Sequence, residues 1–459
     1  MNDNKEFLAK EPIGKLLLKL AIPTVIAQIV NMLYNIVDRI YIGHIPEEGS
    51  LALTGVGVCM PIIMIVSAFA ALVGTGGAPR SSIFMGKGDK KSAEKILGGC
   101  FTLQLIISAL LTFVLLMWGK ELLLAFGASE NTVSYATDYL NIYAIGTVFV
   151  QLTLGMGAFI TAQGFAKQGM VTVLLGAFCN IILDPIFIFV FDMGVKGAAI
   201  ATVISQAVSC AWVLLFLRGK KSTLKIKKEN LVIDFRLVLP CVALGFASFV
   251  MQSSESVISV CFNSSLLSYG GDIAVGAMTI LTSVMQFAML PMMGIAQGAQ
   301  PIMGYNFGAG NAERVKKTFG LLLKVCLIYS FILWAVIMLF PSGFAGIFSS
   351  DAALVEFTAP ALRIYCAVLC IFGIQTACQM TFVSIGNAVS SIAVAVVRKF
   401  VLLLPLIYIV PNFVENKTMG VYLAEPVADF IAVSFTAVLF SVQFKKAMKN
   451  LACKSEGEV

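Results

Sequence analysis

The stretch IPTVIAQIVNMLYNIVDRIYIG, residues 22–43, is long and apolar enough to cross a lipid bilayer, which takes about 20 residues. Four polar side chains recur in it at helical spacing and share one helix face: Gln28, Asn31, Asn35 and Asp38. Polar groups in hydrocarbon lose their hydrogen bonds, so this face must turn toward protein or a watery cavity. An aspartate at that depth is a candidate functional residue.

The composition indicates a polytopic membrane protein. Of the 459 residues, 59% are hydrophobic and only 12% are charged, whereas soluble domains carry about 25% charged residues. The first apolar run is too long for a signal peptide, contains Asn and Asp, and lacks a small-residue cleavage site. The eleven cysteines are scattered singly and fit apolar packing better than disulfides or metal binding.

Hydropathy predicts twelve membrane spans. They lie near 16–42, 52–84, 96–118, 133–161, 168–191, 196–217, 235–263, 272–304, 318–340, 355–384, 390–411 and 418–442. When the connections are assigned alternately to two sides, nearly all loop cations fall on one side, which the positive-inside rule identifies as the cytoplasm. Both termini are then cytoplasmic. The net charge of +7 is a topology signal and requires no nucleic-acid partner.

The second half of the chain repeats the first. Pro23 lies fifteen residues before Asp38, and Pro240 lies fifteen before Glu255, so Glu255 is predicted to be the counterpart of Asp38. Further pairs recur after the offset has grown by five: Gly86 with Gly308, Gly88 with Gly310, Tyr143 with Tyr365, and Gly164 with Gly386.

The repeat predicts an all-α integral membrane protein of two parallel six-helix lobes, because six spans return the chain to the side where it began. We expect an N-terminal lobe over 1–217, a cytoplasmic basic linker over 218–234, and a C-terminal lobe with a short tail over 235–459. Two matched bundles can enclose a central cavity and rock between inward and outward access. This architecture is typical of a transporter.

Few acids lie deep in the predicted spans: Asp38, Asp184, Glu255, Glu425 and Asp429. Asn180 precedes Asp184 by one helical turn, and Pro185 frees a backbone carbonyl beside it. A buried carboxylate can hold a proton, or it can attract Na⁺ or an organic cation.

The alternative for Asp38 is an ion pair that only orients a helix. Arg39 lies about 100° around the helix from Asp38 and is poorly placed to form that pair, so we favour a functional role. For Glu425 and Asp429, one turn apart where Pro426 suggests a helix start near the outer face, cavity lining and interfacial solvation remain equally open.

Methionines cluster on the seventh and eighth spans, among them Met285 and Met289. Flexible, polarizable thioethers suit a surface that must fit many ligands, although ordinary helix packing explains them at least as well. Together with Gln28, Asn31, Asn35, Gln252 and Glu255 they form the predicted lining of a substrate cavity.

Several motifs resemble the multidrug and toxic compound extrusion (MATE) transporters, and within them the bacterial MepA-like branch. They are the first-span pattern from Pro23 through Asp38 to Gly43, the GKGD loop at 86–89, the Gln163-Gly164 loop, and the fifth-span pattern from Asn180 to Pro185. The likeness covers nearly the whole chain through the two-times-six repeat.

The resemblance implies a V-shaped pair of lobes that exports cationic, lipophilic drugs by antiport with H⁺ or Na⁺, as a monomer in a bacterial plasma membrane. It implies a site for the coupling ion in the N-terminal lobe, formed by Asp38, Asn180, Asp184, Tyr139 and Thr202. If the coupling ion is Na⁺, it is expected to bind there. The tenth span has no acid beyond Glu356 at its very start, which argues against a second Na⁺ site with Glu255.

A lipid-linked saccharide flippase of the same superfamily is the alternative function. Its substrates are anionic and require a basic cavity, whereas the mid-span charges are interpreted here as acidic, with Arg363 near a helix end as the main exception. The sequence contains no nucleophile–base pair or metal cluster, so we expect neither an enzyme nor a cofactor.

Overall fold

The computed structural model describes residues 3–46, 49–348 and 351–456, and all regular secondary structure in these ranges is helical. Ten of the helices in this part of the chain are long and apolar enough to span a membrane. One of them, of 74 residues, breaks at Gly271 (φ 66°, ψ −161°) and so makes two crossings. The bent pair Ala352–Tyr365 and Leu369–Ser384 adds one more, which gives the twelve predicted spans.

The N-terminal half contains a short first helix and six spans. They are α1 (Asp3–Lys10), α2 (Ile13–Gly43), α3 (Gly49–Gly86), α4 (Lys90–Ala125), α5 (Val133–Ala162), α6 (Ala166–Pro185), which continues as the π-helical turn Ile186–Val190, and α7 (Gly194–Arg218). Pro185 removes a backbone donor where the α-helix gives way to the wider π-helical turn.

The C-terminal half follows the same order with more interruptions. It contains α8 (Phe235–Gly308), α9 (Ala312–Leu339), α10 (Pro341–Phe348), α11 (Ala352–Tyr365), α12 (Phe372–Ser384), α13 (Ala388–Val396), the π-helical segment Val397–Leu403, α14 (Leu404–Ile409) and α15 (Lys417–Glu456). Short 3₁₀ turns lie at Lys228–Asn230, Leu369–Ile371 and Val410–Asn412.

The loops confirm the internal repeat. Gly88 and Gly310, which stand 222 residues apart, have φ of 79° and 76°, a left-handed conformation that glycine adopts without steric cost. Each is followed by a matching helix cap: the Ser92 N–H donates to Asp89, and the Arg314 N–H donates to Asn311. The hydrogen bond from Ser92 also lowers the pKa of the Asp89 carboxyl below its ordinary value.

The two halves meet through α3 and α8, where backbones approach too closely for a side chain. A Cβ on Gly86 would strike the Tyr305 carbonyl, and a Cβ on Gly308 would strike that of Ile83. The same offset of 222 relates Gly86 to Gly308 and Ile83 to Tyr305. The contacts are therefore two copies of one interaction, as a pseudo-two-fold axis between the halves requires.

The predicted counterpart of Asp38 is wrong. Gly76 packs on the backbone of Cys241, and Gly298, its counterpart at the offset of 222, packs on Ala21. Cys241 therefore corresponds approximately to Ala21, 220 residues earlier, and not to a residue 217 earlier. With this offset of 220, Glu255 corresponds to residue 35, which lies one turn before Asp38. Close packing between helices fixes the alignment of the two repeats more strictly than a matched pair of prolines does.

Helix α2 belongs to both halves. Its first turns, including Leu16 and Leu20, lie in the hydrophobic core of the C-terminal half. The Thr24 hydroxyl donates to the Gly294 carbonyl of α8 over 2.6 Å. The later turns pack on α6 of the N-terminal half. The helix lacks one backbone hydrogen bond at Pro23, and its contacts with α8 continue beyond this point to Gln28.

The linker between the halves is fastened to the N-terminal half. Gln163 Oε1 accepts hydrogen bonds from Ser222 Oγ (3.1 Å) and from the Leu224 N–H (2.8 Å). Lys227 Nζ lies 2.7 Å from Glu94 Oε2, and this carboxylate raises the pKa of Lys227. The linker thus has a defined path over the end of the bundle where the basic loops lie.

Candidate functional site

The first candidate site, here called the acidic cluster, consists of Asp38, Asn180, Asp184, Tyr139 and Thr202. The first three are 6%, 1% and 0% exposed. Asn180 Nδ2 donates to Asp184 Oδ1 over 3.1 Å, as their spacing of one helical turn predicts. The Asp38 and Asp184 carboxyl groups are neighbours that interact directly. The structure therefore brings together acids from the first and fifth spans.

Aromatic and hydroxyl groups complete the acidic cluster. Tyr139 is 3% exposed, interacts with the Thr202 side chain and feels the charge of Asp38. Its ring stacks on Tyr143, with centroids 6.4 Å apart. Tyr34 lies one turn before Asp38 on α2. It is close enough to Asp38 and Asp184 to interact electrostatically with both carboxylates, and its side chain also interacts with Gln206. Sequence reasoning missed Tyr34 and Gln206, although the position of Tyr34 was a usable signal.

Three oxygens of the acidic cluster lack a hydrogen-bond donor among the described residues: Asp38 Oδ1, Asn180 Oδ1 and Asp184 Oδ2. Arg39 is exposed and makes no ion pair with Asp38 in the described part of the chain. Two adjacent buried carboxylates without a paired base repel each other. Their unsatisfied oxygens suit a proton or a hard metal cation, which prefers oxygen ligands.

The C-terminal half contains a second group of charged residues, here called the mixed-charge cluster, which is buried except for Glu255. It consists of Arg398, Lys399, Glu255, Glu425 and Asp429. Arg398 Nε lies 2.7 Å from Asp429 Oδ1, and its second guanidinium branch lies 3.2 Å from Glu425 Oε1. Lys399 Nζ lies 2.7 Å from Glu255 Oε1. Both cations are carried by the π-helical segment of the eleventh span.

This cluster corrects two sequence-based interpretations. Arg363 is not the main exception to the acidic mid-span charge, because Arg398 and Lys399 are 7% and 4% exposed inside the predicted span 390–411. Glu425 and Asp429 are not solvated at an interface, because they are buried against Arg398. Pro426 lies within α15 and does not start it. Two adjacent cations in an apolar run were the missed signal for buried acidic partners.

The predicted cavity residues are divided among several environments. Gln28 Nε2 donates to Gln297 Oε1 of α8 over 3.0 Å, while Asn31 is exposed and Asn35 donates to its carbonyl over 2.6 Å. Gln252 is half-buried, and the Glu255 side chain is 49% exposed.

The two predicted methionines face the core of the C-terminal half. Met285 Sδ lies 3.7 Å from Cys366 Sγ, and Met289 packs on the same core. The structure thus gives both residues the packing role that the sequence left open.

The MatE family model matches residues 23–186 and again residues 247–409, once in each half. The chain belongs to the MatE family. Curated relatives of this MatE protein include the multidrug export protein MepA of Staphylococcus haemolyticus, 24% identical over 94% of this chain and 95% of that protein. MepA of Staphylococcus aureus strain N315 is 24% identical over 80% of this chain and 81% of that protein. The chain is a MepA-like MATE protein.

Solved MATE structures share the fold of this MatE chain. A MATE in its bent conformation superposes with a TM-score of 0.92 at 24% identity, covering 98% of this chain and 100% of the other. An outward-facing multidrug resistance MATE gives 0.90 at 24% identity, covering 97% and 99%. A transporter from Pyrococcus furiosus, described as having a binding pocket of reverse polarity, gives 0.89 at 24% identity, covering 96% and 98%. The fold alone therefore leaves the charge of the substrate open.

Proposed function

We propose that this MatE protein is a secondary active multidrug efflux transporter that exports cationic, lipophilic compounds by antiport with H⁺ or Na⁺ across a bacterial plasma membrane. Its curated relatives are bacterial multidrug export proteins, which supports the transported class. The observation that carries the coupling proposal is the acidic cluster, where two buried neighbouring carboxyl groups have no paired base among the described residues.

The coupling cation binds at Asp38 and Asp184. Asn180 orients Asp184 through their hydrogen bond, and the Tyr139 and Thr202 side chains interact beside Asp38. A bound H⁺ or Na⁺ removes the repulsion between the carboxylates, and its departure restores that repulsion. Since the site is buried, both changes act on how α2 packs against α6.

Helix α2 provides the connection to the other half. Asp38 lies on its part packed against α6, whereas Thr24 is hydrogen-bonded to α8. A change in packing at Asp38 can be absorbed by bending at Pro23, which alters the α2–α8 contact. Cation binding therefore has different free energies in the two arrangements of the halves, as exchange transport requires.

A cationic substrate competes for the same negative charge. Moving one charge against the membrane potential involves about 2.3 kcal/mol per 100 mV, so a single coupling ion supplies a useful driving force. The predicted cavity residues Gln28, Asn31 and Asn35 lie on the helix that carries Asp38 and form the proposed path to it. Glu255 joins this path only when it separates from Lys399.

Export of an anionic lipid-linked saccharide is the alternative. The buried cations Arg398 and Lys399 favour it, but three carboxylates surround them: Glu255, Glu425 and Asp429. The mixed-charge cluster therefore has a formal charge of −1 when all five groups are ionised. An internally compensated cluster does not form the basic cavity that an anionic substrate requires.

Ethidium transport in proteoliposomes tests the proposal, with a pH gradient and a Na⁺ gradient imposed separately. We expect wild-type transport with one gradient and its loss in Asp38→Asn, because the substituted amide cannot exchange a proton and binds a cation without charge attraction. Asp138→Asn is the matched control, since Asp138 is in the same half but is partly exposed and lies 3.5 Å from Lys196. Gradient-driven transport retained in Asp38→Asn would contradict the coupling site.

A further inference from the structure

A cavity of about 180 Å³ opens between the two halves, on the side where the basic loops predict the cytoplasm. Its wall from the N-terminal half is the end of α3, with Arg80, Ile83, Phe84 and Lys87. Its wall from the C-terminal half consists of Phe307, Ile385 and Gly386. The proposed transport mechanism uses none of these residues.

The charged residues that line this cavity, Arg80 and Lys87, are both positive. Arg80 Cζ lies 6.0 Å and Lys87 Nζ 5.3 Å from the centroid of the Phe84 ring, so both cations lie about one aromatic ring. Within the described ranges neither forms an ion pair with a carboxylate, and Arg80 Nε is buried without an acceptor. Arg80 otherwise interacts with the Cys241 thiol, and Lys87 feels the charge of Asp89 in the following loop.

The other half of the repeat shows what such a groove accommodates. At the offset of 222, Gly386 corresponds to Gly164, and the ring of Phe7 from α1 lies directly against Gly164. Leu8, the next residue, is 2% exposed, and its carbonyl accepts hydrogen bonds from Asn306 and Arg314. On that side α1 fills the groove, and the carbonyl of its buried Leu8 is hydrogen-bonded.

On the Gly386 side the described part of the chain has no counterpart of α1, although the end of α15 packs on Ile385 and Phe307 through Phe444 and Met448. The segment that precedes α8, which corresponds to α1 in the repeat, is instead held on the N-terminal half by Gln163 and Glu94. The groove there keeps an apolar floor of Ile83, Phe84 and Phe307 beneath two cations. An occupant must therefore combine an anionic group with an apolar portion.

We propose that this cavity binds an anionic phospholipid of the cytoplasmic leaflet, with its phosphate at Arg80 and Lys87 and an acyl chain along the apolar floor. Arg80 lies six residues, or about 9 Å along the helix, before the end of α3, the depth at which an arginine can reach the interface. Anionic lipids attract basic groups at this surface. Because both halves line the cavity, a bound lipid stabilises the arrangement of the halves seen here.

Lipid binding to the purified full chain tests this proposal without measuring transport. Wild type is titrated in neutral detergent with dioleoylphosphatidylglycerol or with dioleoylphosphatidylcholine, and bound lipids are counted by native mass spectrometry. We expect one phosphatidylglycerol to bind preferentially, and the double variant Arg80→Gln/Lys87→Gln to bind it about 25-fold more weakly. Each cation near an anionic surface contributes about fivefold, the factor that corresponds to about 1 kcal/mol.

Three controls make the result specific. Lys91→Gln removes an exposed lysine near the start of α4, outside the cavity lining, and must leave the preference unchanged. Arg80→Lys/Lys87→Arg keeps both charges and must retain most of the binding. If the neutral double variant does not fold, Ile385→Trp fills the cavity without altering its charge and must reduce binding instead.

Two outcomes overturn the proposal. Equal retention of the two lipids by wild type, or undiminished phosphatidylglycerol binding in folded Arg80→Gln/Lys87→Gln or Ile385→Trp, shows that the cavity does not select an anionic lipid. Displacement of the lipid by millimolar inorganic phosphate shows that the site recognises a free anion. Failure of either kind leaves the cation-exchange proposal intact, because the acidic cluster shares no residue with this cavity.

Discussion

Replacing Arg398 by Met is expected to destabilise the C-terminal half strongly. The side chains of Arg398, Glu425 and Asp429 are 9%, 6% and 8% exposed, so the substitution leaves two buried carboxyl groups without the guanidinium that contacts both. Breaking a buried ion pair from one side costs about 3–5 kcal/mol, because the remaining charge is not compensated. The ring of Phe372, 4.7 Å from the guanidinium, also loses its cation contact.

The expected shift in melting temperature follows from the size of the unfolding unit. With an unfolding entropy of about 2.1 cal/mol/K per residue, a half of roughly 220 residues changes by about 0.46 kcal/mol/K. A loss of about 3–5 kcal/mol then lowers the Tm of that half by roughly 6–11 °C. Thermal unfolding of detergent-purified protein, followed by cysteine accessibility of the buried Cys366, measures the shift in the correct half.

A combined variant separates loss of charge from loss of packing. Arg398→Met together with Glu425→Gln and Asp429→Asn removes all the charges of the triad, so most of the lost stability should return. Arg236→Met, an exposed arginine near the start of α8, is the matched control and should be neutral. A Tm for Arg398→Met within 2 °C of wild type, or no recovery in the triple variant, refutes the view that these charges depend on one another.

Two further changes test the contacts that hold the halves. Gln163→Ala removes the side-chain oxygen that accepts hydrogen bonds from Ser222 and Leu224 of the linker. Trypsin should then cleave the linker of the folded protein several-fold faster. An unchanged cleavage rate would mean that other contacts hold the linker. Gly245→Ala should impair folding or transport, because the added Cβ would strike the Leu72 carbonyl. Gly57→Ala is the control and should be neutral, because its Cβ meets nothing within 4 Å. Equal transport by the two variants would contradict the tight contact at Gly245.

The spans were predictable because hydropathy accumulates over about 20 residues and does not depend on any single position. The repeat was predictable at its loops, since glycines such as Gly88 and Gly310 occupy a backbone conformation that few other residues adopt. Its register in the first spans was not. There the sequence offered only the matched prolines Pro23 and Pro240. The glycine contacts between helices, which give the correct alignment, are visible only in the assembled halves.

The acidic cluster was partly predictable for a local reason. Asn180 and Asp184 are one turn apart on one helix, so the sequence alone places their side chains together. The pairing of Glu255 with Lys399 joins residues far apart in the chain, and no periodicity within one helix indicates it. Arg398 and Lys399 could have been noticed, because adjacent cations in an apolar span require buried counter-charges.

The two halves have become electrically unequal through the cations that Arg398 and Lys399 supply to one of them. In that half, Arg398 and Lys399 balance most of the negative charge of the neighbouring carboxylates. Because all these residues belong to the same half, the balance is kept however the halves move. Among the described residues Asp38 and Asp184 of the first half have no paired base, and in the proposed mechanism their counter-charge is an ion from solution. In a protein made by duplication, a membrane voltage would then do different work on each half, and the dependence of transport on voltage should follow substitutions at Asp38 and Asp184 far more than those at Glu425 and Asp429.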